Sequence, residues 1–186
     1  MLKSGFIGLA LILSIPAAFG VTKLYQDERG DLRVKDPLFA DLDIQTVKVS
    51  TPDRKNFVFE IKTKGIPVST PENPIYYVVA VNEDGDFKTG HSMWIGGPEV
   101  SRFIYLEGST VKRITSQWAD TNPLGEATLD KETLKISLTL NTKKAKFISF
   151  GVYIILKKPR ADGKGPYTIL DAATATLKNE TYQFEL

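Results

Sequence analysis

The chain of 186 residues contains no cysteine. This absence excludes disulfide bridges, thiolate zinc sites, thiol nucleophiles and lipid attachment through an N-terminal cysteine. The folded protein must therefore be stabilised by its core alone. At this length we expect one domain, which is large enough to bury such a core.

Histidine is almost as scarce, because His91 is the only one in the sequence. A Ser–His–Asp device would have to use His91, and no nucleophile-elbow sequence surrounds a serine. Carboxylates are plentiful, but they gather in turn sequences, which favours a solvated surface over the paired carboxylates of a glycosidase. We therefore predict that the protein is not an enzyme.

The sequence also lacks an excess of charge of one sign. Lysine and arginine number 24, aspartate and glutamate number 22, and the formal net charge is +2. This balance gives no reason to expect a nucleic-acid partner. After the first 20 residues no apolar run is long enough to cross a bilayer, so we predict no membrane span in the mature chain.

The first segment present is "MLKSGFIGLALILSIPAAFG", which has the layout of a secretory signal peptide. Lys3 is a positive n-region, Phe6–Ile15 is an uncharged apolar run, and Pro16 is followed by small residues at Ala18 and Gly20. The alternative is an uncleaved anchor, but the run is shorter than the ~20 residues that a spanning helix needs. We predict a signal peptide at 1–20, cleavage after Gly20, and a mature domain at 21–186 that is secreted, periplasmic or at the cell surface.

The rest of the chain has a hydrophobic period of two. "NFVFEIKT" and "LKISLTL" alternate apolar and polar residues, which is typical of strands with one buried face. Ile75–Val81 and Phe147–Leu156 are apolar on both faces and should be central strands. Turn sequences such as "NEDGD" and "ADGKGP" separate the strands. The pattern predicts an all-β protein, a single antiparallel β-sandwich of the jelly-roll or immunoglobulin-like kind.

The segment "DLDIQTVKV" contains an irregularity. By strand parity Leu42 and Ile44 share one face, while Val47 and Val49 share the other. A bulge near Gln45–Thr46 would put all four on the core side, and a strand that switches between the sheets would do the same.

The stretch from Asp27 to Pro67 resembles the opening of extracellular domains related to the DOMON domains and the family-nine carbohydrate-binding modules. Their pattern is an Asp, a Gly-Asp, a polar loop, an Asp-Ile that leads a Val-x-Val strand, and an apolar strand that ends at a Gly. In this chain it falls on Asp27, Gly30, Asp31, Asp43, Ile44, Val47, Val49, Phe57, Phe59, Ile61 and Gly65. The resemblance implies a β-sandwich that carries a sugar, a haem or no known ligand.

Haem is disfavoured by the ligands that the sequence offers. Haem-bearing relatives hold iron between axial side chains on separate elements, commonly Met and His. His91 and Met93 are two residues apart on one predicted strand, so both point the same way and cannot bind an iron from opposite faces.

Two groups of oxygen-bearing residues predict calcium. Asn82, Asp84 and Asp86 have the spacing of a calcium loop, and the alternative is a polar hairpin turn, for which Asp-Gly is a strong signal. The other group is Asp27, Asp31 and Asp43, which Asp171 would join if the last strands lie beside the first. The alternative for this group is that Asp31 and Asp43 cap turns through their own backbone.

Aromatic residues near strand ends are candidates for stacking on sugar rings. They are Trp94, Trp118, Tyr76, Tyr77 and Tyr105. The alternative is that each tryptophan closes the core. The leading prediction is an exported, non-catalytic binding module for a glycan or another cell-surface polymer. The alternative is a subunit of a cell-surface filament or layer, a homo-oligomer in which the segment Val21–Val34 is exchanged as a strand between copies.

Overall fold

The computed structural model describes residues 20–27, 30–92, 97–117, 121–142, 145–158, 166–174 and 181–186. The predicted signal peptide, apart from Gly20, lies outside these residues. Within the described residues no helix is both long and apolar enough to span a membrane. The described chain is almost entirely β, as the period of two predicts, with one short 3₁₀ helix at Pro37–Leu42.

Eleven strands are present in the described ranges. They are β1 (Val21–Gln26), β2 (Ile44–Thr51), β3 (Asn56–Thr63), β4 (Ile75–Asn82), β5 (Val100–Glu107), β6 (Thr110–Ser116), β7 (Glu126–Asp130), β8 (Thr133–Thr139), β9 (Phe147–Leu156), β10 (Thr168–Ala173) and β11 (Tyr182–Glu185).

The strands form two antiparallel sheets that pack face to face, so the predicted β-sandwich is confirmed. The first sheet has the order β1-β2-β3-β8-β7. The second has the order β10-β9-β4-β5-β6, and β11 also pairs with β9, beyond the part of β9 that pairs with β10. The doubly apolar strands β4 and β9 are neighbours inside the second sheet, which confirms that they are central.

The core between the sheets is filled by the alternating side chains of the sequence pattern. Phe57, Phe59 and Ile61 of β3 are fully buried, and they face β9 residues such as Phe150 across the interior. The rings of Phe59 and Phe150 meet edge to face, with centroids 5.3 Å apart. Each buried aromatic ring removes a large apolar area from water, which is the main stabilising contribution for a chain without disulfides.

The predicted bulge in the opening stretch is confirmed. The pairing of β2 with β3 shifts register between Ile44 and Thr46, and as a result Leu42, Ile44, Val47 and Val49 all lie in the core. The bulge lies beside the point where the chain enters the first sheet, next to the aspartates of the opening stretch.

Candidate functional site

Three carboxylates that are far apart in the sequence meet at one edge of the sandwich. Asp27 follows the end of β1, Asp31 lies in the loop after it, and Asp171 belongs to β10. One carboxylate oxygen from each lies within 4.8 Å of the other two. The structure therefore brings Asp171 beside Asp27 and Asp31. We expect this from the sequence if the last strands lie beside the first.

Backbone hydrogen bonds fix the loop that carries Asp31. The amide of Asp27 donates to the carbonyl of Gln45 over 3.1 Å, and the amide of Arg33 donates to the carbonyl of Leu170 over 2.9 Å. These bonds attach the start and the middle of the segment to β2 and β10, one strand from each sheet. The carboxylates are thus held by both sheets.

Asp43 has a different role from the other three. Its Oδ1 accepts a hydrogen bond of 2.9 Å from the amide of Gly30, where the backbone has a φ of 78°. This positive φ is one that glycine adopts without strain, and the bond anchors the turn that precedes Asp31. Asp43 therefore positions the loop through an amide 13 residues earlier in the chain, and not through its own backbone.

Asp171 owes its orientation to an irregularity in β10. The pairing of β10 with β9 shifts register between Ile169 and Asp171. Leu170 and Ala173 face the core between the sheets, whereas Ile169 and Ala172 belong to the opposite face. The bulge therefore turns Asp171 inward, where its Oδ2 accepts a hydrogen bond of 2.6 Å from the amide of Ile44.

The Asp171 carboxyl is completely buried, with 0% of the residue exposed. Its Oδ1 has no hydrogen-bond partner among the described residues. Burial is the largest cause that raises the pKa of Asp171, to about 7, and the nearby charges of Asp31 and Asp43 raise it further, whereas the bond from Ile44 opposes the change. A carboxylate in this position is costly to keep charged unless another group satisfies it.

Burial and the nearby carboxylates also change the pKa of a neighbouring tyrosine, Tyr182. Burial raises the pKa of the Tyr182 hydroxyl, and the carboxylates of Asp27, Asp31 and Asp171 raise it further. The same hydroxyl donates to the carbonyl of Gln26 over 3.1 Å, so β11 is also tied to the end of β1.

The second predicted calcium group has another arrangement. Asn82 Oδ1 accepts from the amide of Gly85, Asp84 Oδ1 accepts from the amide of Asp86, and Asp86 Oδ1 accepts from the amide of Lys88. These oxygens support the turn through its own backbone, as the polar-hairpin alternative describes. Calcium at this turn stays a prediction.

The outer face of the second sheet carries a layer of apolar and aromatic side chains, separate from the core. Tyr76, Phe103 and Tyr153 are almost completely buried in it, and the half-buried Tyr105 and Tyr167 pack against it. The ring of Tyr76 lies 4.9 Å from that of Tyr105, and the ring of Phe103 lies 5.7 Å from that of Tyr167.

A cleft of about 230 Å³ opens on this face. It is lined by Tyr76, Phe103, Arg113, Thr115, Ser116, Gln117, Lys157 and Tyr167. The lining combines the aromatic rings of Tyr76, Phe103 and Tyr167 with hydroxyl and amide groups, and both charged side chains are cations. The described lining residues include no carboxylate.

The five predicted stacking residues have separate outcomes. Trp94 and Trp118 lie outside the described residues, although Gln117, next to Trp118 in the sequence, lines the cleft. Tyr76 and Tyr105 lie in the outer aromatic layer. Tyr77 requires a correction, because it is fully buried in the core between the sheets and cannot stack on a ligand.

Tyr167, Arg113 and Lys157 were missed from the sequence. The sequence indicated them only indirectly. Strands that are apolar on both faces need other side chains to pack on the outer face of their sheet as well as on the core face. Strand parity separates Tyr76 from Tyr77, but it does not tell which of the two faces outward.

Comparisons with family models, with curated proteins and with solved structures return no match for this chain. The resemblance to DOMON-related domains and family-nine carbohydrate-binding modules therefore stays a prediction.

Proposed function

We propose that the protein is an exported, non-catalytic module that binds glycans in the cleft on the outer face of the second sheet. The observation that carries this proposal is the composition of the cleft. Its aromatic rings suit the apolar faces of sugar rings, and its hydroxyl and amide groups suit sugar hydroxyls.

Tyr167 is the lining ring that a glycan would contact, because Tyr76 and Phe103 are only 7% and 4% exposed. Tyr167 is half-buried and packs on Phe103, which holds its ring in place before a ligand arrives. Tyr105 does not line the cleft but supports two residues that do, because its ring lies 4.9 Å from the ring of Tyr76 and 5.5 Å from the guanidinium of Arg113. Rings that are fixed in advance lose little side-chain entropy on binding, which favours affinity.

The non-catalytic part of the proposal rests on the charges. General acid catalysis at a glycosidic bond needs a pair of carboxylates that flank it. The carboxylates of Asp27, Asp31 and Asp171 are gathered at the edge of the sandwich instead, and the described lining of the cleft offers cations.

The test is a calorimetric titration of the purified chain with a panel of soluble oligosaccharides, which measures the affinity for each of them. Tyr167→Ala should weaken binding about tenfold, the loss expected for one stacking contact of about 1.4 kcal/mol. Phe87→Ala is the matched control, because Phe87 is an exposed aromatic residue that does not line the cleft. The proposal fails if no member of the panel binds, or if both variants weaken binding equally.

One observation favours the filament as a second candidate. β1, at the start of the predicted exchange segment, is an edge strand that pairs with β2 from Val21↔Thr51 to Gln26↔Thr46. A strand from a neighbouring copy could make the same backbone hydrogen bonds in its place.

A further inference from the structure

Asp27, Asp31 and Asp171 have the arrangement of a cation site. Their oxygens lie within 4.8 Å of one another, although the three residues come from a strand end, a loop and a bulged strand. Oxygens bound to one calcium ion at about 2.3–2.6 Å lie at most about 5 Å apart. The three oxygens are therefore close enough for one ion to bind all three carboxylates after a small movement of the side chains.

A second observation points to a ligand. Asp171 is fully buried, and its Oδ1 lacks a hydrogen-bond partner within the described chain, while Oδ2 is bound to the Ile44 amide. A buried carboxylate oxygen without a partner is costly. A cation between the three carboxylates would remove that cost.

The donor atoms select the kind of ion. In the described part of the chain this group has three carboxylates and no nitrogen or sulfur donor. Such a hard oxygen site suits calcium and does not suit zinc or copper. Asp43 is not in the group whose oxygens lie within 4.8 Å of one another, and its Oδ1 accepts from the Gly30 amide. It keeps the loop in the position that Asp31 needs.

We propose that Asp27, Asp31 and Asp171 bind one calcium ion, which fastens β1 and the loop after it to β10. Two of the ligands belong to the N-terminal segment and the third belongs to the second sheet. The ion thus joins an edge strand to the body of the sandwich. This inference is independent of the glycan cleft, which lies on the outer face of the sheet.

The first experiment uses the purified wild-type chain and calcium alone. The melting temperature is measured in chelator and at rising free calcium. At a hundredfold excess over the dissociation constant, we expect a rise of about 5–10 °C. Hydrogen exchange should slow at the amides of β1 and Asp27. An unchanged melting temperature and unchanged exchange would overturn the proposal, and neither measurement depends on a variant.

Variants then locate the ion. Asp31→Asn and Asp171→Asn should abolish the calcium-dependent rise, whereas Asp130→Asn, at an exposed position of β7, should preserve it. Asp84→Asn tests the polar turn and should also preserve the rise. If Asp84→Asn abolishes it and Asp171→Asn does not, calcium binds at the turn and the proposed site is wrong. Should Asp171→Asn fold poorly, Asp31→Asn makes the same test at a partly exposed position.

Discussion

The carboxylate of Asp171 accepts a buried hydrogen bond of 2.6 Å from the backbone amide of Ile44, 127 residues earlier in the chain. The bond joins β10 of the second sheet to the first residue of β2 in the other sheet. Both residues lie at register shifts, so two bulges meet at this edge. A bulge changes the direction in which a strand's side chains point. Here the bulge in β10 points the carboxylate of Asp171 into the interior.

The first prediction concerns pH and the free energy of unfolding in the absence of calcium. The pKa of Asp171 is raised from 3.8 to about 7 in the folded protein. The folded state therefore keeps a proton that the unfolded state releases at lower pH. The stabilising contribution is complete below about pH 4 and is lost as the pH rises through about 7. At about 1.4 kcal/mol per pH unit, the loss reaches up to about 4 kcal/mol.

Urea unfolding in chelator at several pH values measures this effect. Asp171→Asn keeps an oxygen that can accept from Ile44 and removes the titrating group. The difference in unfolding free energy between wild type and variant should change with pH between about 4 and 7. A difference that is constant over this range would contradict the assignment of the raised pKa to Asp171.

The second prediction concerns the kind of glycan. Arg113 and Lys157 are exposed side chains that line the cleft, and neither forms an ion pair with a carboxylate of the described residues. We therefore expect acidic sugars to bind more tightly than neutral sugars of the same length. Arg113→Gln and Lys157→Gln should each weaken binding of an oligogalacturonate about tenfold, and added salt should do the same.

Calorimetry with a neutral xylo-oligosaccharide provides the comparison, since an uncharged sugar should lose far less affinity than the acidic sugar on either substitution. Lys135→Gln is the matched control, because Lys135 is an exposed lysine on β8 of the other sheet. Equal binding of the acidic and neutral sugars would refute the charge preference and leave the aromatic cleft as a site for neutral glycans.

Much of the fold could be predicted from local pattern. The period of two fixes which residues of β3 and β8 enter the core, and a doubly apolar run identifies β4 and β9 as central. Even the bulge near Ile44 could be predicted, because four apolar residues on opposite parities need one extra residue to share a face. These features depend on neighbours in the sequence.

The candidate sites depend on register between distant strands, which local pattern does not contain. Asp171 could be named only on the condition that the last strands lie beside the first. Tyr76 and Tyr77 are adjacent and equally apolar, yet one faces the outer layer and the other the core. Tyr167 joins the cleft through its ring contact with Phe103, across more than sixty positions of sequence. No spacing rule links such residues.

The third prediction tests the exchange of β1 between copies. β1 is held by backbone pairing with β2 and by Tyr25, whose ring lies 5.1 Å from that of Phe150 and whose hydroxyl donates to the carbonyl of Gln183 over 2.7 Å. Burial is the main cause that raises the pKa of this hydroxyl to about 12, as expected for a side chain that anchors the strand in the core. Tyr25→Ala should cost about 2–4 kcal/mol of stability.

A chain that lacks residues 21–26 should expose the edge of β2 and accept β1 from outside. We expect a synthetic peptide of residues 20–27 to raise its melting temperature, and the Tyr25→Ala peptide to do so far less. If copies exchange β1, concentrated full-length protein should form oligomers that the wild-type peptide caps, because the peptide occupies the acceptor edge. The filament hypothesis is wrong if the full-length protein stays monomeric at every concentration and the peptide does not change the melting temperature of the truncated chain. The glycan-binding module would then be the remaining proposal.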